Sequence, residues 1–225
     1  PGISSAASDV YKRQGIGREI AKCYSKLGAE LILLSKSQDK LETLHDELSS
    51  DNSKNILIQP IDFALSEEKD YVQIVEALSG EYSKIDGLVN NAGILGEKKS
   101  IEQYNYKTWK QVMAVNLDAG FLLTKHLIPL LRESKSSSVI FTSSGVGKVG
   151  RPYWGSYSVS KFATEGLMQI LSEELQNTSS IRVNCINPGA VRTKMRKSAY
   201  PAENPEINPL ASEIMKPYIC LLYTS

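Results

Sequence analysis

From Gly15 onward the chain alternates two hydrophobic patterns. Stretches with apolar residues three or four apart, the spacing of a helix face, are separated by short continuous apolar runs of the kind found in strands buried on both sides. The first stretch, GIGREIAKCYSKLG, opens on glycines and stops at Gly28, a residue type suited to the position after a helix end. ELILL (30–34) predicts a strand, and SQDKLETLHDELSS predicts a helix with Leu41, Leu44 and Leu48 on one face. NILIQPID (55–62) predicts the next strand, ending near Pro60 because proline cannot donate to a ladder, and a helix over about 66–83 follows. IDGLVNNAG predicts a strand running into a turn, and WKQVMAVNLDAGFLLTKHLIPLL one long helix whose continuation Pro129 restricts. SVIFTSS, a helix over about 155–176 and the strand IRVNCIN complete the series. Past Pro188 the proline, asparagine and lysine content predicts a loop or mobile lid. Alternation of this kind implies parallel strands joined by crossover helices, so the expected fold is α/β, a doubly wound parallel sheet in three layers.

A chain of 225 residues with 41% hydrophobic side chains can bury one sizeable core, which sets the expectation of a single domain. Lysine plus arginine (26) nearly balance aspartate plus glutamate (25), so charge predicts neither a nucleic-acid nor a membrane-surface partner. No stretch approaches the roughly 20 apolar residues of a membrane helix, and a cytoplasmic protein is expected. Cys23, Cys185 and Cys220 have no metal-ligand spacing, nor do His45 and His126, and no metal site is predicted.

The two ends read differently from the rest. SDVYKRQ (8–14) and CLLYTS (220–225) have no periodicity. Back-translation relates them: GATGTGTATAAGAGACA encodes most of the first, and its reverse complement encodes most of the second. Such inverted ends resemble a sequencing adapter translated on either side of an insert. Residues 1–14 and 220–225 are therefore read as non-native and 15–219 as the domain, with its first and last strands apparently missing. The activity is expected to belong to an intact parent, and the chain as written is expected to be inactive.

Tyrosine and lysine four residues apart share one helix face, and such a pair can make a general acid/base. The pattern occurs at Tyr106 with Lys110, read as an exposed helix face, and at Tyr157 with Lys161. The second pair belongs to an ordered series: NNAG (90–93), Asn116 within a helix, Ser144 with Gly147 and Gly150, YSVSK, then NPGAVRT (187–193). This series resembles the short-chain dehydrogenase/reductase family over Gly15 to about Tyr218, and FTSSGVGKVGRPYWGSYSVSKFATEG is most similar to its YciK-type oxidoreductases.

The resemblance implies a Rossmann-type fold, NADP(H) as cofactor, a small-molecule carbonyl or alcohol substrate, and a homodimer or homotetramer. It implies catalytic roles for Asn116, Ser144, Tyr157 and Lys161, with Asn116 holding a water in a proton relay to Lys161. Of the family's glycine turn, Gly15, Ile16 and Gly17 remain to meet the pyrophosphate. Ser35 and Lys36 occupy the place where NAD-selective members carry an acid, and their chemistry suits a 2′-phosphate. Asp62 falls beside adenine by resemblance, though a strand-end turn residue reads equally well. Asn90, Ala92 and Gly93 would line the cofactor, and Pro188, Gly189, Val191 and Thr193 would meet its nicotinamide end, as would Tyr157 and Lys161. Tyr153 and Trp154 either wall the substrate space or pack beneath the helix. The alternative function is a cofactor-binding regulator without turnover.

The chemistry of the Tyr157–Lys161 pair follows without the family. A phenol of pKa about 10 is a poor base at neutral pH, and lowering it by about three units needs roughly 4 kcal/mol of differential stabilisation, which a nearby lysine cation can supply in large part. A serine hydroxyl at Ser144 would meet the oxygen on which negative charge develops.

Overall fold

In the computed structural model, which describes residues 2–5, 15–49 and 55–223, the apolar runs become the strands of one parallel sheet. β1 (Gly2–Ser5), β2 (Leu31–Ser35), β3 (Ile56–Pro60), β4 (Gly87–Asn90), β5 (Ser137–Thr142) and β6 (Ile181–Ile186) lie in the order β3-β2-β1-β4-β5-β6. Every residue of β2, β4 and β5 is buried, which is why their sequences are apolar runs rather than alternations. The direction of winding reverses between β1 and β4, and the crevice at such a switch point is where open α/β sheets hold ligands.

Strand alternation divides the core in two. Leu31 and Leu33 of β2 face α1 (Ile16–Lys26) and α2 (Gln38–Ser49), packing with Ile20, Leu41 and Leu44. Ile32 and Leu34 face the other way, into the layer formed by α3 (Glu68–Glu81), α4 (Tyr106–Met113), α5 (Ala119–Arg132) and α6 (Gly155–Leu175), where Tyr71, Leu78, Leu123, Leu127 and Leu175 meet them. The stretch predicted as one long helix is α4 and α5 joined by a five-residue π turn, Ala114–Asp118, which contains Asn116. Pro129 lies inside α5, whose helix runs on to Arg132.

Two expectations need correction. The first strand is not missing: Gly2–Ser5 pairs in parallel with β2 on one side and β4 on the other, in register over all four residues. Parallel pairing is made by backbone groups, so a segment unlike an apolar strand can still fill the slot. The region after Pro188 is not simply a loop. It holds α7 (Lys194–Ala199), two short 3₁₀ turns and α8 (Lys216–Tyr223). Its coil is tied down by Arg192, whose guanidinium donates to the carbonyls of Pro205 (2.9 Å), Glu206 (3.2 Å) and Asn208 (3.2 Å). Tyr218 of α8 is fully buried, and the carbonyl of Leu221 accepts from Ser138 Oγ at 2.7 Å and from Arg182 at 3.0 Å. Among the described residues no strand follows β6. Residues 6–14, which include the whole of SDVYKRQ, and 224–225 lie outside those described, whereas 220–223 of the second adapter-like segment belong to α8.

Candidate active site

A cleft of about 790 Å³ runs across the carboxyl ends of the strands. Gly15 and Ile16 line its middle, Ser35, Lys36 and Asp62 one end, and Ser144, Tyr157 and Lys161 the other. Gly93, Pro188, Gly189, Val191 and Thr193 also face it. Four other candidates do not, Asn116 among them. Asn90 turns its amide toward α5, donating to Thr124 Oγ1 at 3.2 Å, while its neighbour Asn91 faces the cleft. Ala92 packs into the hydrophobic core, and Gly17 is buried in the first turn of α1. Side chains alternate at the end of a strand, so adjacent residues there face opposite layers.

The Tyr157–Lys161 end is assembled from β5, the turn after it and α6. Glycine at 147 lets that turn press on the helix: a Cβ there would lie 2.9 Å from the backbone carbonyl carbon, the carbonyl oxygen and the Cβ of Lys161. Ser158 Oγ donates to the carbonyl of Val146 at 2.5 Å, fixing the same contact from the helix side. The geometry at i and i+4 then brings Tyr157 and Lys161 together, with the ammonium 5.8 Å from the ring centroid. Both are nearly enclosed, Tyr157 at 8% and Lys161 at 4% exposure.

Lys161 Nζ donates to the carbonyl of Thr142 at 2.6 Å. Burial pulls its pKa down to about 8, with a small opposing contribution from Cys185. Burial also raises the Tyr157 phenol above its ordinary value, and the hydrogen bond from Ser144 works against that rise. Desolvation therefore outweighs the hydrogen bond from Ser144. Asn116 is buried in the π turn, where its side chain accepts from the Ile94 amide at 2.8 Å and donates to the Ile94 carbonyl and to Ser160 Oγ, both at 3.0 Å. It ties the loop after β4 to α6.

At the opposite end Lys36 reaches Asp62 at 2.7 Å, in a pair whose lysine side chain is 73% exposed. The second carboxylate oxygen of Asp62 accepts from the Ala64 amide at 3.1 Å, so the same residue closes the turn after β3. The turn-residue reading of Asp62 describes what it does here. Lys40, which no sequence argument singled out, lines this end too. Its signal was present, because it stands four residues after Lys36.

Trp154 faces the cleft and is buried against Tyr157, with ring centroids 5.6 Å apart, whereas Tyr153 is exposed and adopts a positive φ of 67°. Of the two, Trp154 walls the space above the tyrosine. Met195, Arg196 and Ala199 of α7 close it from the lid side, residues that carried no recognisable signal in sequence. Tyr106 is exposed with Lys110 over its ring at 5.1 Å, and His126 bonds Glu68 at 3.0 Å on the surface. Among the described residues no helix is long and apolar enough to cross a membrane.

Residues 12–204 match the short chain dehydrogenase family. The oxidoreductase YciK of Escherichia coli K12 is 40% identical over 208 residues, covering 92% of this chain and 82% of that protein. Among solved structures, a short chain dehydrogenase of Shigella flexneri complexed with NADP aligns with a TM-score of 0.92 at 39% identity, over 98% of this chain and 89% of the other. One from Escherichia coli complexed with NADPH gives a TM-score of 0.91 at 39% identity, again over 98% and 89% of the two chains. Sequence and backbone agree on one lineage, and the chain belongs to the short-chain dehydrogenase/reductase family.

Proposed function

We propose that this oxidoreductase uses NADP(H) to interconvert a small-molecule carbonyl compound and the matching alcohol, with Tyr157 as general acid/base. The observation that carries the reading is the buried Tyr157–Lys161 pair with Ser144 at one end of a cleft whose far end offers Ser35 and Lys36. The residues fit the cofactor. Gly15 stands at the N-cap of α1 without a side-chain hydrogen bond, so the first amides of the helix are available to a pyrophosphate. Ser143 Oγ, also on the cleft, has no hydrogen-bond partner among the described residues. No carboxylate stands at position 35 to repel a 2′-phosphate, and the relatives complexed with NADP and NADPH support the same choice here.

When bound, NADP(H) supplies or accepts the hydride. The protein handles the proton. In the reducing direction Tyr157 donates its phenolic proton to the carbonyl oxygen, and a raised pKa keeps that proton in place at neutral pH. Ser144 offers a second hydrogen bond to the same oxygen as negative charge grows on it. The Lys161 cation stabilises the phenolate left behind. We assign Asn116 a positioning role, because its amide is already committed to Ile94 and Ser160, in place of the water-holding role that the family resemblance implied. Phe121, Val159, Phe162 and Ile170 leave apolar surface exposed on α5 and α6, which supports pairing of two or four copies through those helices.

The test is NADPH binding by calorimetry, followed by a screen of aldehydes and ketones for carbonyl-dependent NADPH oxidation. Binding without any turnover would leave the regulator reading standing in place of the enzyme. The same screen checks the expectation that the chain as written is inactive: carbonyl-dependent NADPH oxidation overturns it, whereas turnover gained only after residues 1–14 are replaced by an apolar strand and a full glycine turn supports it.

A further inference from the structure

Tyr104 stands just before α4, outside the lining of the cleft, yet its phenol joins two segments that do line it. The oxygen accepts from the Glu97 amide at 3.0 Å and shares a hydrogen bond with Ser156 Oγ at 2.8 Å. Glu97 follows Ile94 and Leu95, which form one part of the cleft wall, and Ser156 lies between Trp154 and Tyr157, which form another. One hydroxyl ties the two parts together.

The ring has a prepared seat. A Cβ on Gly155 would collide with the Tyr104 ring, and one on Gly96 would lie 2.5 Å from its hydroxyl and 2.8 Å from Val112. Both glycines have positive φ, 39° and 70°, a region that other residues enter at a cost. Trp109 of α4 meets the ring edge-on, with centroids 6.1 Å apart. α6 begins at Gly155 without a side-chain cap from Trp154, so its first turn is fixed by contacts from the side. Asn116 already ties the loop after β4 to Ser160, and Tyr104 makes a second tie one turn earlier, at Ser156. Tyr157 lies between the two ties. One tie would leave a hinge, whereas two fix the orientation of the first turn against the loop.

From this geometry we infer that Tyr104 is a positioning residue: through Ser156 and Glu97 it holds the first turn of α6, and with it Tyr157, in place against the loop that carries Ile94 and Leu95. The inference rests on the oxidoreductase reading above and adds a residue to that same site. Ser156 is fully buried, so loss of the phenol leaves its hydroxyl without this partner and the turn free to shift.

The experiment compares Tyr104→Phe, Ser156→Ala and the double variant with the unaltered chain. Phenylalanine keeps the ring in its seat and removes only the hydroxyl. Either single variant should lower kcat on hexanal at saturating NADPH by about tenfold, the effect of a displacement well under 1 Å, while KM for NADPH stays within about twofold. The double variant leaves neither hydroxyl of the pair unmatched, so its urea midpoint should recover toward that of the unaltered chain while kcat stays low. Turnover that recovers together with stability, or never falls, would overturn the inference, because a merely structural tyrosine moves the two in step. Hydrogen exchange tests the brace without turnover. In Tyr104→Phe the amides of 158–161, whose helical acceptors are residues 154–157, should exchange faster, and those of 166–175 should not change. Unchanged exchange at 158–161, or acceleration spread evenly along α6, would overturn the inference even in an active enzyme. Local acceleration in a chain that reduces neither hexanal nor any other carbonyl would defeat the oxidoreductase reading alone.

Discussion

The two ends of the cleft are built on opposite physical plans. At the catalytic end Tyr157 and Lys161 are almost wholly enclosed, and each neighbour is fixed by a second contact, Thr142 on Lys161, Val146 on Ser158, Ile94 on Asn116. At the Lys36–Asp62 end the chemistry is an exposed lysine resting on a carboxylate whose side chain is 25% exposed. Groups that must hold a proton within tenths of an ångström of a reacting atom are placed by packing before anything binds. Groups that grip a phosphate can wait in solvent, because a surface ion pair is worth only about 0–1 kcal/mol and exchanges readily for a better partner. Mutations at the buried end should therefore be felt in turnover and stability, and mutations at the exposed end in affinity alone.

The largest effect expected is Tyr157→Phe. The ring, its packing on Trp154 and its burial stay, and only the proton donor goes. Turnover on any accepted carbonyl should fall by about 10²–10⁴, the usual worth of a general acid. NADPH affinity, followed by fluorescence, should stay within about twofold. Retained turnover would remove the basis for assigning the buried end to chemistry.

Lys161→Met sharpens the contrast through pH. The folded-state pKa of Lys161 is depressed to about 8 from the ordinary 10.5, so the fold holds fewer protons than the unfolded chain between those values. Stability contributed by this group is at its lowest below pH 8 and rises as pH climbs toward 10.5, by about 3 kcal/mol in all. Methionine removes that dependence, though it leaves the Thr142 carbonyl without its donor, a loss of about 1–3 kcal/mol. Urea melts of both proteins at several pH values should show the unaltered chain gaining on the variant across this window. Parallel curves would mean that the lysine is better solvated than its burial implies. In turnover, the unaltered chain should lose activity above pH 8 as the cation beneath Tyr157 disappears.

Much of this architecture is legible in sequence for a physical reason. Strands such as Leu31–Ser35 and Ser137–Thr142 are buried on both faces, and Leu41, Leu44 and Leu48 all reach the core, so periodicity alone locates them. Tyr157 and Lys161 are legible because a helix turns a spacing into a shared face. What escaped depends on contacts distant in sequence. Arg192 and Arg196 organise the lid through Pro205 and Glu203, partners that no local pattern announces. The π turn at Asn116 differs from an α-helix by a single extra residue, too little to disturb the apolar spacing. Gly2–Ser5 offers no apolar run to mark it as a strand, because its pairing is made by backbone, which carries no side-chain signature.

Gly147→Ala probes how tightly the catalytic end is assembled. The added methyl would sit 2.9 Å from backbone atoms of Lys161, and backbone cannot swing aside as a flexible side chain can. The turn after β5 must lift from α6, at a stability cost of about 1–3 kcal/mol. Turnover should drop because Ser144 and Lys161 separate, while the NADPH dissociation constant changes little. Gly150→Ala, where an added Cβ meets nothing within 4 Å, is the control. Equal behaviour of the two variants would show that the turn is not held against the helix.

The smallest effect belongs to the exposed end. Lys36 faces the place expected for a 2′-phosphate, and in the free chain its charge is shared with Asp62 at 2.7 Å. Binding must therefore draw the ammonium partly away from a carboxylate, which limits what the lysine can contribute. A lysine is also a point charge without the two-pronged geometry of arginine. Lys36→Ala should weaken NADPH by about tenfold, ~1.4 kcal/mol, and leave NADH within about twofold, because NADH lacks the group being read. Raising salt from 50 to 500 mM should shrink the difference, as screening acts on exposed charges. Urea stability and turnover at saturating NADPH should not move, since nothing at the catalytic end touches this residue. Lys40 lines the same end, so Lys36→Ala combined with Lys40→Ala shows whether the phosphate is held by one cation or two. Unchanged NADPH affinity in the double variant would transfer the cofactor preference to backbone amides and break the contrast between the two ends.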